Sequence, residues 1–183
     1  MIAPLIWMVT GPRQVGKSSF CRGMAEAARQ ADWDVAGLLS PAQIEQGAKT
    51  GILVEDLRTG ESHRLASVCR QSPEDIPFGD WYFDPQTLAW GNRVLASSPP
   101  CDLLIMDELG PLELTHQMGW WAALEILPRG EYRVALVVIR PELQIAARNL
   151  FDFSEIIQIG PTHTTDTWVG ACWPKMMEYK MDL

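Results

Sequence analysis

Short apolar runs alternate with amphipathic stretches along this chain, and that alternation sets the expected architecture. Leu5-Ile6-Trp7-Met8-Val9 is continuously apolar and stops at Thr10-Gly11-Pro12, so it reads as a buried strand, too short for a helix. Lys17 to Ala31 carries Phe20, Met24 and Ala28 at i, i+4 and i+8, the spacing of one helix face. The strand pattern returns at Val35–Leu39, Leu103–Met106, Val134–Ile139 and Ile156–Ile159. Helices are expected over Pro85–Ala96, Leu114–Leu127, Pro141–Leu150 and Thr167–Tyr179. Asp84 can cap the first of these and Pro85 suits its first turn. The second stops before Pro128-Arg129-Gly130. Apolar strands alternating with helices predict an α/β fold whose largely parallel sheet is covered on both faces.

The middle of the chain breaks this rhythm. Gly51 to Ala66 has hairpin character: Ile52, Val54 and Asp56 fall on one face, Arg58-Thr59-Gly60-Glu61 turns, and Ser62–Leu65 returns. The sheet is therefore expected to be mixed. Ser40 to Thr50 reads as a polar loop. Ala66 to Asp84 reads as irregular, interrupted by Pro73, Pro77 and Gly79. Trp81-Tyr82-Phe83 there is either a lid over a base or, as we favour, a set of rings packing a long connection onto the core.

With 183 residues the chain suits one domain, residues 1–183, with a core over about 5–160 and a short C-terminal tail over about 161–183. The formal charge of -8 disfavours nucleic acid as a partner, because phosphate contacts need Lys and Arg. Cys21, Cys69, Cys101 and Cys172 form no CxxC pair and read as scattered thiols in a reducing compartment. No stretch has a signal peptide's pattern or a membrane helix's length, so a cytoplasmic location without membrane contact is expected.

Chemistry concentrates at two places. Gly11-Pro12-Arg13-Gln14-Val15-Gly16-Lys17-Ser18 matches G-x-x-x-x-G-K-[ST] completely, with a strand before it and a helix after it. Its glycines let the backbone curl so that N–H groups cradle phosphate oxygens, and the helix N-terminus adds a favourable field. Lys17 would reach the β- and γ-phosphates, the Ser18 hydroxyl would bind Mg²⁺, and Ser19 would sit near the α-phosphate. Arg13 either touches the γ-phosphate or a partner, or is solvated. The second place is Asp107-Glu108, at the end of the apolar run Leu103–Met106, where ligands of doubly wound sheets bind. Asp107 would hold Mg²⁺, and Glu108 would orient the attacking water. Arg140, following Val134–Ile139, is expected on the same edge as a phosphate sensor, the plain alternative being a surface arginine. Glu113 is either a supporting acid or a helix-start residue stabilised by the dipole.

The phosphate loop together with Asp107-Glu108-Leu109-Gly110-Pro111-Leu112-Glu113 resembles the thermophile-type and cancer-related nucleoside-triphosphatase family, whose second motif reads approximately D-E-[IL]-G-x-[ML]-E. The resemblance spans about residues 5–160. It also covers Gly37–Pro41, the segment Gly47–Ile52, and the hairpin after it. The chain departs from the family where Ala42 replaces a common glutamate, Lys49 an arginine and Ile52 a phenylalanine. What the resemblance implies is a RecA-like three-layer α/β/α sandwich and slow, Mg²⁺-dependent hydrolysis of several nucleoside triphosphates, ATP or GTP among them. The same cradle would serve a nucleotide or small-molecule kinase, although no compact arginine-rich lid is evident. It would equally serve a nucleotide-dependent switch or accessory protein with a protein partner or a homo-oligomeric state, for which Trp81–Phe83 and the tail offer surfaces.

Overall fold

The structure, a computed structural model, describes residues 5–114 and 119–179. Five parallel strands form one half of a single sheet: β1 (Leu5–Thr10), β2 (Val35–Leu39), β8 (Cys101–Leu109), β9 (Tyr132–Ile139) and β10 (Glu155–Gln158). The other half is antiparallel: β4 (Ala48–Asp56), β5 (Ser62–Ser67), β6 (Ile76–Phe78) and β7 (Trp81–Phe83), with β3 (Ala42–Glu45) paired to β4 alone. The strand order is β10-β1-β9-β8-β2-β4-β5-β7-β6. The expected mixed α/β sheet is thus present, with its helix-covered part wholly parallel.

Both faces of the parallel half are covered, which is why its strands read as unbroken apolar runs. Trp7, Val9, Leu103, Ile105, Leu136 and Val138 point to one face. Helices α1 (Lys17–Gln30) and α6 (Thr165–Glu178) close that face through Phe20, Met24, Cys172 and Met176. The alternate residues Ile6, Met8, Leu104, Met106, Ala135 and Val137 point to the other. There α2 (Pro85–Ala96) and α4 (Trp121–Arg129) supply Leu95, Ala123, Ile126 and Leu127. Burying each such large side chain contributes roughly 1.5–3 kcal/mol. The segment expected as a short tail therefore packs as a core helix. Its start is fixed by Thr164, whose hydroxyl oxygen accepts from the Thr167 N–H.

Several boundaries differ from expectation for local reasons. Ser40–Thr50 is not a loop: Glu45 pairs with Ala48 across a two-residue turn, Gln46-Gly47, with φ of 50° and 81°. Both central residues are left-handed, as a tight hairpin requires. Ala66–Asp84 likewise contains the small hairpin β6–β7, closed at Gly79-Asp80. Trp81 and Phe83 pack against the core from β7, which favours the packing reading of those rings. The helix expected over Leu114–Leu127 divides into α3 (Pro111–Leu114) and α4, and its part at 115–118 lies outside the described residues. Helix α4 runs through Pro128 and stops at Gly130, with φ of 69°. Pro141–Leu150 splits into a 3-10 turn, Pro141–Leu143, and α5 (Gln144–Arg148). At α2 the sequence reading holds in detail. The Gln86 N–H donates to Asp84 Oδ1 at 2.9 Å, the Thr87 hydroxyl donates to Asp84 Oδ2 at 2.9 Å, and Pro85 opens the helix.

Candidate nucleotide site

The parallel strands deliver their carboxyl ends to one edge of the sheet, and strand order decides who meets whom there. Strand β9 lies between β1 and β8. Arg140, leaving β9, therefore emerges between the loop that follows β1 and the acidic pair that ends β8.

The loop at residues 11–16 connects β1 to α1. Gly11 has φ of 146°, and a Cβ there would stand 2.2 Å from the carbonyl oxygen of Ile159. Only glycine lets the loop press against the chain leaving β10. Gly16 has open space around it but φ of 98°, so its requirement is conformational. Gln14 is also left-handed, with φ of 61°. Such turns direct successive N–H groups inward, the geometry of an anion cradle. Pro12, Arg13 and Gln14 are exposed, Val15 half-buried, and Ser19 faces solvent one residue into α1 beyond Ser18. Lys17 folds back over the loop. Its ammonium donates to the carbonyl oxygens of Gly11 at 2.8 Å and Pro12 at 2.5 Å. Partial burial lowers the Lys17 pKa, while Glu108 and Asp107 oppose that shift.

Asp107 is buried, and its Oδ2 accepts the Ser40 N–H at 3.0 Å, tying the end of β8 to the end of β2. Its carboxylate also bonds the Ser18 side chain. Burial pushes the Asp107 carboxyl above the usual range, with Glu108 adding to the push, while the Ser40 and Ser18 hydrogen bonds pull it back. A buried carboxylate without an ion-pair partner is a group that a cation stabilises. The Ser18 hydroxyl and one Asp107 oxygen form a hard-oxygen pair that fits Mg²⁺, which keeps several waters and shares phosphate oxygens. Among the described residues there is no cluster of three or more His, Cys, Asp or Glu to hold a metal by protein groups alone.

Glu108 has φ of 95°, unusual for a residue with a side chain. The β8–β9 pairing shifts register between Met106 and Leu109, so a bulge falls on Asp107-Glu108. Bulges re-aim side chains, and strain of this kind gathers at functional sites at a cost of about 1–3 kcal/mol. Here the bulge lets adjacent residues serve one site: Asp107 turns inward, while Glu108 stays half-exposed and pairs with Arg140. The Thr10 hydroxyl accepts from Gln144 Nε2 at 3.3 Å, linking the loop's first strand to the helix after Arg140.

Glu113 is 5% exposed and fully occupied by backbone. Its Oε2 accepts the Gly110 N–H at 2.7 Å and its Oε1 the Trp120 N–H at 2.8 Å. It pins the turn after β8 and, of the two roles read from sequence, acts as a support. Glu113→Ala would leave two buried donors unpaired. We expect a loss of about 2–4 kcal/mol, read from urea unfolding with the slope unchanged.

Lys49, which sequence reasoning did not place here, lies near enough to feel the charges of this group. Desolvation lowers its pKa, with Arg140 and Arg13 adding to the fall, while Glu108 and Asp107 oppose it. Its only sequence signal is its place in the family-like segment Gly47–Ile52. A groove of about 230 Å³ opens beside Ser18 and Ser19, between Arg22 and Glu26 of α1 and Thr165 and Asp166 of α6. A second cavity, of about 220 Å³ along Leu65–Ser67, shares no residue with this group.

A glycine-cornered loop, a lysine at its helix start and an acid pair two strands away in the sheet define a P-loop nucleotide-binding protein. The NTPase family profile matches residues 7–156, and the chain belongs to that family. The nucleoside-triphosphatase THEP1 of Ignicoccus hospitalis is 34% identical over 106 residues, covering 58% of this chain and 59% of that one. That of Methanosarcina acetivorans is 30% identical over 121 residues, covering 65% and 67%. The chain thus spans about three fifths of the length of the Ignicoccus relative. A human cancer-related nucleoside triphosphatase, solved in solution, superposes with a TM-score of 0.70 at 20% identity, covering 94% of this chain and 97% of that one. The crystal structure of THEP1 from Aquifex aeolicus gives 0.61 at 16% identity, covering 91% and 96%. These likenesses bear out the expected family and the P-loop α/β fold. Among the described residues no helix is long and apolar enough to cross a membrane.

Proposed function

We propose that this chain is a Mg²⁺-dependent nucleoside-triphosphatase that cleaves the β–γ bond of ATP, GTP and other nucleoside triphosphates. The observation that carries the reading is the meeting of Glu108 and Arg140 at the sheet edge that also bears Lys17, Ser18 and Asp107.

The loop amides bind the phosphate chain, and the Lys17 ammonium exchanges two carbonyl acceptors for β- and γ-oxygens. Ser18 and Asp107 would hold Mg²⁺, which when bound would neutralise charge on the phosphate oxygens. Before nucleotide arrives, Arg140 neutralises Glu108. An incoming γ-phosphate offers Arg140 a stronger anion, and the guanidinium moves onto it. Glu108 is thereby released to accept a proton from water as the water oxygen bonds to the γ-phosphorus and the bridging oxygen departs with the diphosphate. Ribose and base run into the groove beside Ser18 and Ser19. Contacts concentrated on the phosphates accommodate several bases.

The test is phosphate release from ATP, GTP, CTP and UTP without any acceptor, with Mg²⁺ and then with excess chelator. We expect release from all four that stops on chelation. Tight nucleotide binding with no release would overturn the hydrolase reading and favour a kinase or a partner-activated switch.

A further inference from the structure

We propose that Lys49, carried over the site by the β3–β4 hairpin, recognises the γ-phosphate and sets the preference for a triphosphate over a diphosphate. This rests on the nucleotide-site reading above and adds a residue to it.

The placement follows from register. Strand β4 runs antiparallel to β2, with Leu39 opposite Glu55, and the Leu53 N–H donates to the Pro41 carbonyl at 2.9 Å. From Leu53 back to Lys49 the strand continues in the direction in which β2 has already ended. At about 3.3 Å per residue, that carries Lys49 some 13 Å along β4 beyond the contact with Pro41. Strand β2 ends at the edge where the phosphate loop, Asp107, Glu108 and Arg140 emerge.

What Lys49 does there is set by its neighbours. Its ammonium stands 5.0 Å from the centroid of the Trp81 ring, on β7. Among the described residues no carboxylate lies within ion-pair distance of it, although Glu108 and Asp107 are near enough to act on it. Lys17 already holds two carbonyls and Arg140 already holds Glu108. Lys49 holds a ring face, a weaker partner than a phosphate oxygen. It is therefore a poised cation on a hairpin arm. A γ-phosphate seated between Lys17 and Arg140 offers it a charge-assisted contact. A diphosphate ends short of that position and does not.

Calorimetric titration with ADP and with a non-hydrolysable β,γ-imido ATP, each with Mg²⁺, separates the outcomes. Lys49→Met should weaken binding of the imido analogue by about 10- to 100-fold, the effect of losing one hydrogen bond to a charged group. ADP affinity should stay within about 2-fold, which also reports that the variant is folded. Lys49→Arg should restore most of the loss. In the wild type the analogue, unlike ADP, should change tryptophan emission as Lys49 leaves Trp81, and Trp81→Phe should remove that change. Equal effects on both nucleotides, or none on either, would overturn the proposal. Failure of the wild type to bind either nucleotide would instead sink the site reading itself.

Discussion

Glu108→Gln should lower the rate of triphosphate hydrolysis by about 10²- to 10⁴-fold, the usual contribution of a positioned general base, while leaving nucleotide binding intact or tighter. The amide keeps the shape and can still hold a water, but it cannot take the proton. The binding half of the expectation comes from Arg140. In the nucleotide-free protein this guanidinium is paired to Glu108, and an incoming γ-phosphate must break that pair. With glutamine at 108 the pair is already gone, so Arg140 meets the phosphate without first giving up a carboxylate. Single-turnover rates and equilibrium binding, measured on the same variant, check both halves. A rate within about threefold of wild type would remove Glu108 from the chemistry, since a general base contributes at least 10²-fold. A parallel loss of binding would make it a structural acid that holds Arg140 in place.

Much of this site was legible because its signals are local. Gly11–Ser18 needs no tertiary information: the glycine spacing, the strand before and the helix after are all in one stretch. Asp107 was readable because four apolar residues precede it, and a buried strand that ends in two acids puts their charge at the sheet edge where ligands bind. What sequence could not supply was strand order. Arg140 becomes Glu108's partner only because β9 inserts between β1 and β8, a fact about long-range pairing. Lys49 was hidden for a different reason. The turn that swings it over the site is Gln46-Gly47, and glutamine is not the asparagine or aspartate that usually announces a left-handed hairpin position. Without that signal Ser40–Thr50 looks like a polar loop. The bulge at Asp107-Glu108 left no trace either, because neither residue is a glycine.

Asp107→Asn should make the nucleotide-free protein more stable wherever the wild-type carboxyl is ionised, and nearly inactive. Asp107 is 4% exposed, and its carboxyl titrates above the 3.8 of an ordinary aspartate, chiefly because burial disfavours the charge. A group whose pKa is raised by folding stabilises the fold fully only below its unfolded value. That contribution is lost as pH rises through the folded-state value. Above that value the ionised carboxylate is therefore a cost carried by the empty site. Asparagine removes the charge and keeps an oxygen for the Ser40 N–H. The variant should melt higher by about 2–4 °C for each kcal/mol recovered, and the gap should close as pH falls through the raised folded-state value and the wild type protonates. Mg²⁺ and nucleotide should reverse the order. Bound at about 100 times its dissociation constant, a ligand adds about 2.7 kcal/mol to the protein that holds it. Only the wild type keeps the charged oxygen that favours the metal. Melting curves of both proteins, empty and with Mg²⁺-nucleotide, should therefore cross. An empty variant that melts lower than wild type would mean that Asp107 serves the fold through Ser40 and Ser18. A variant that melts higher and loses the ligand-dependent rise would mean that this buried charge is kept for the metal, at a standing cost to the fold.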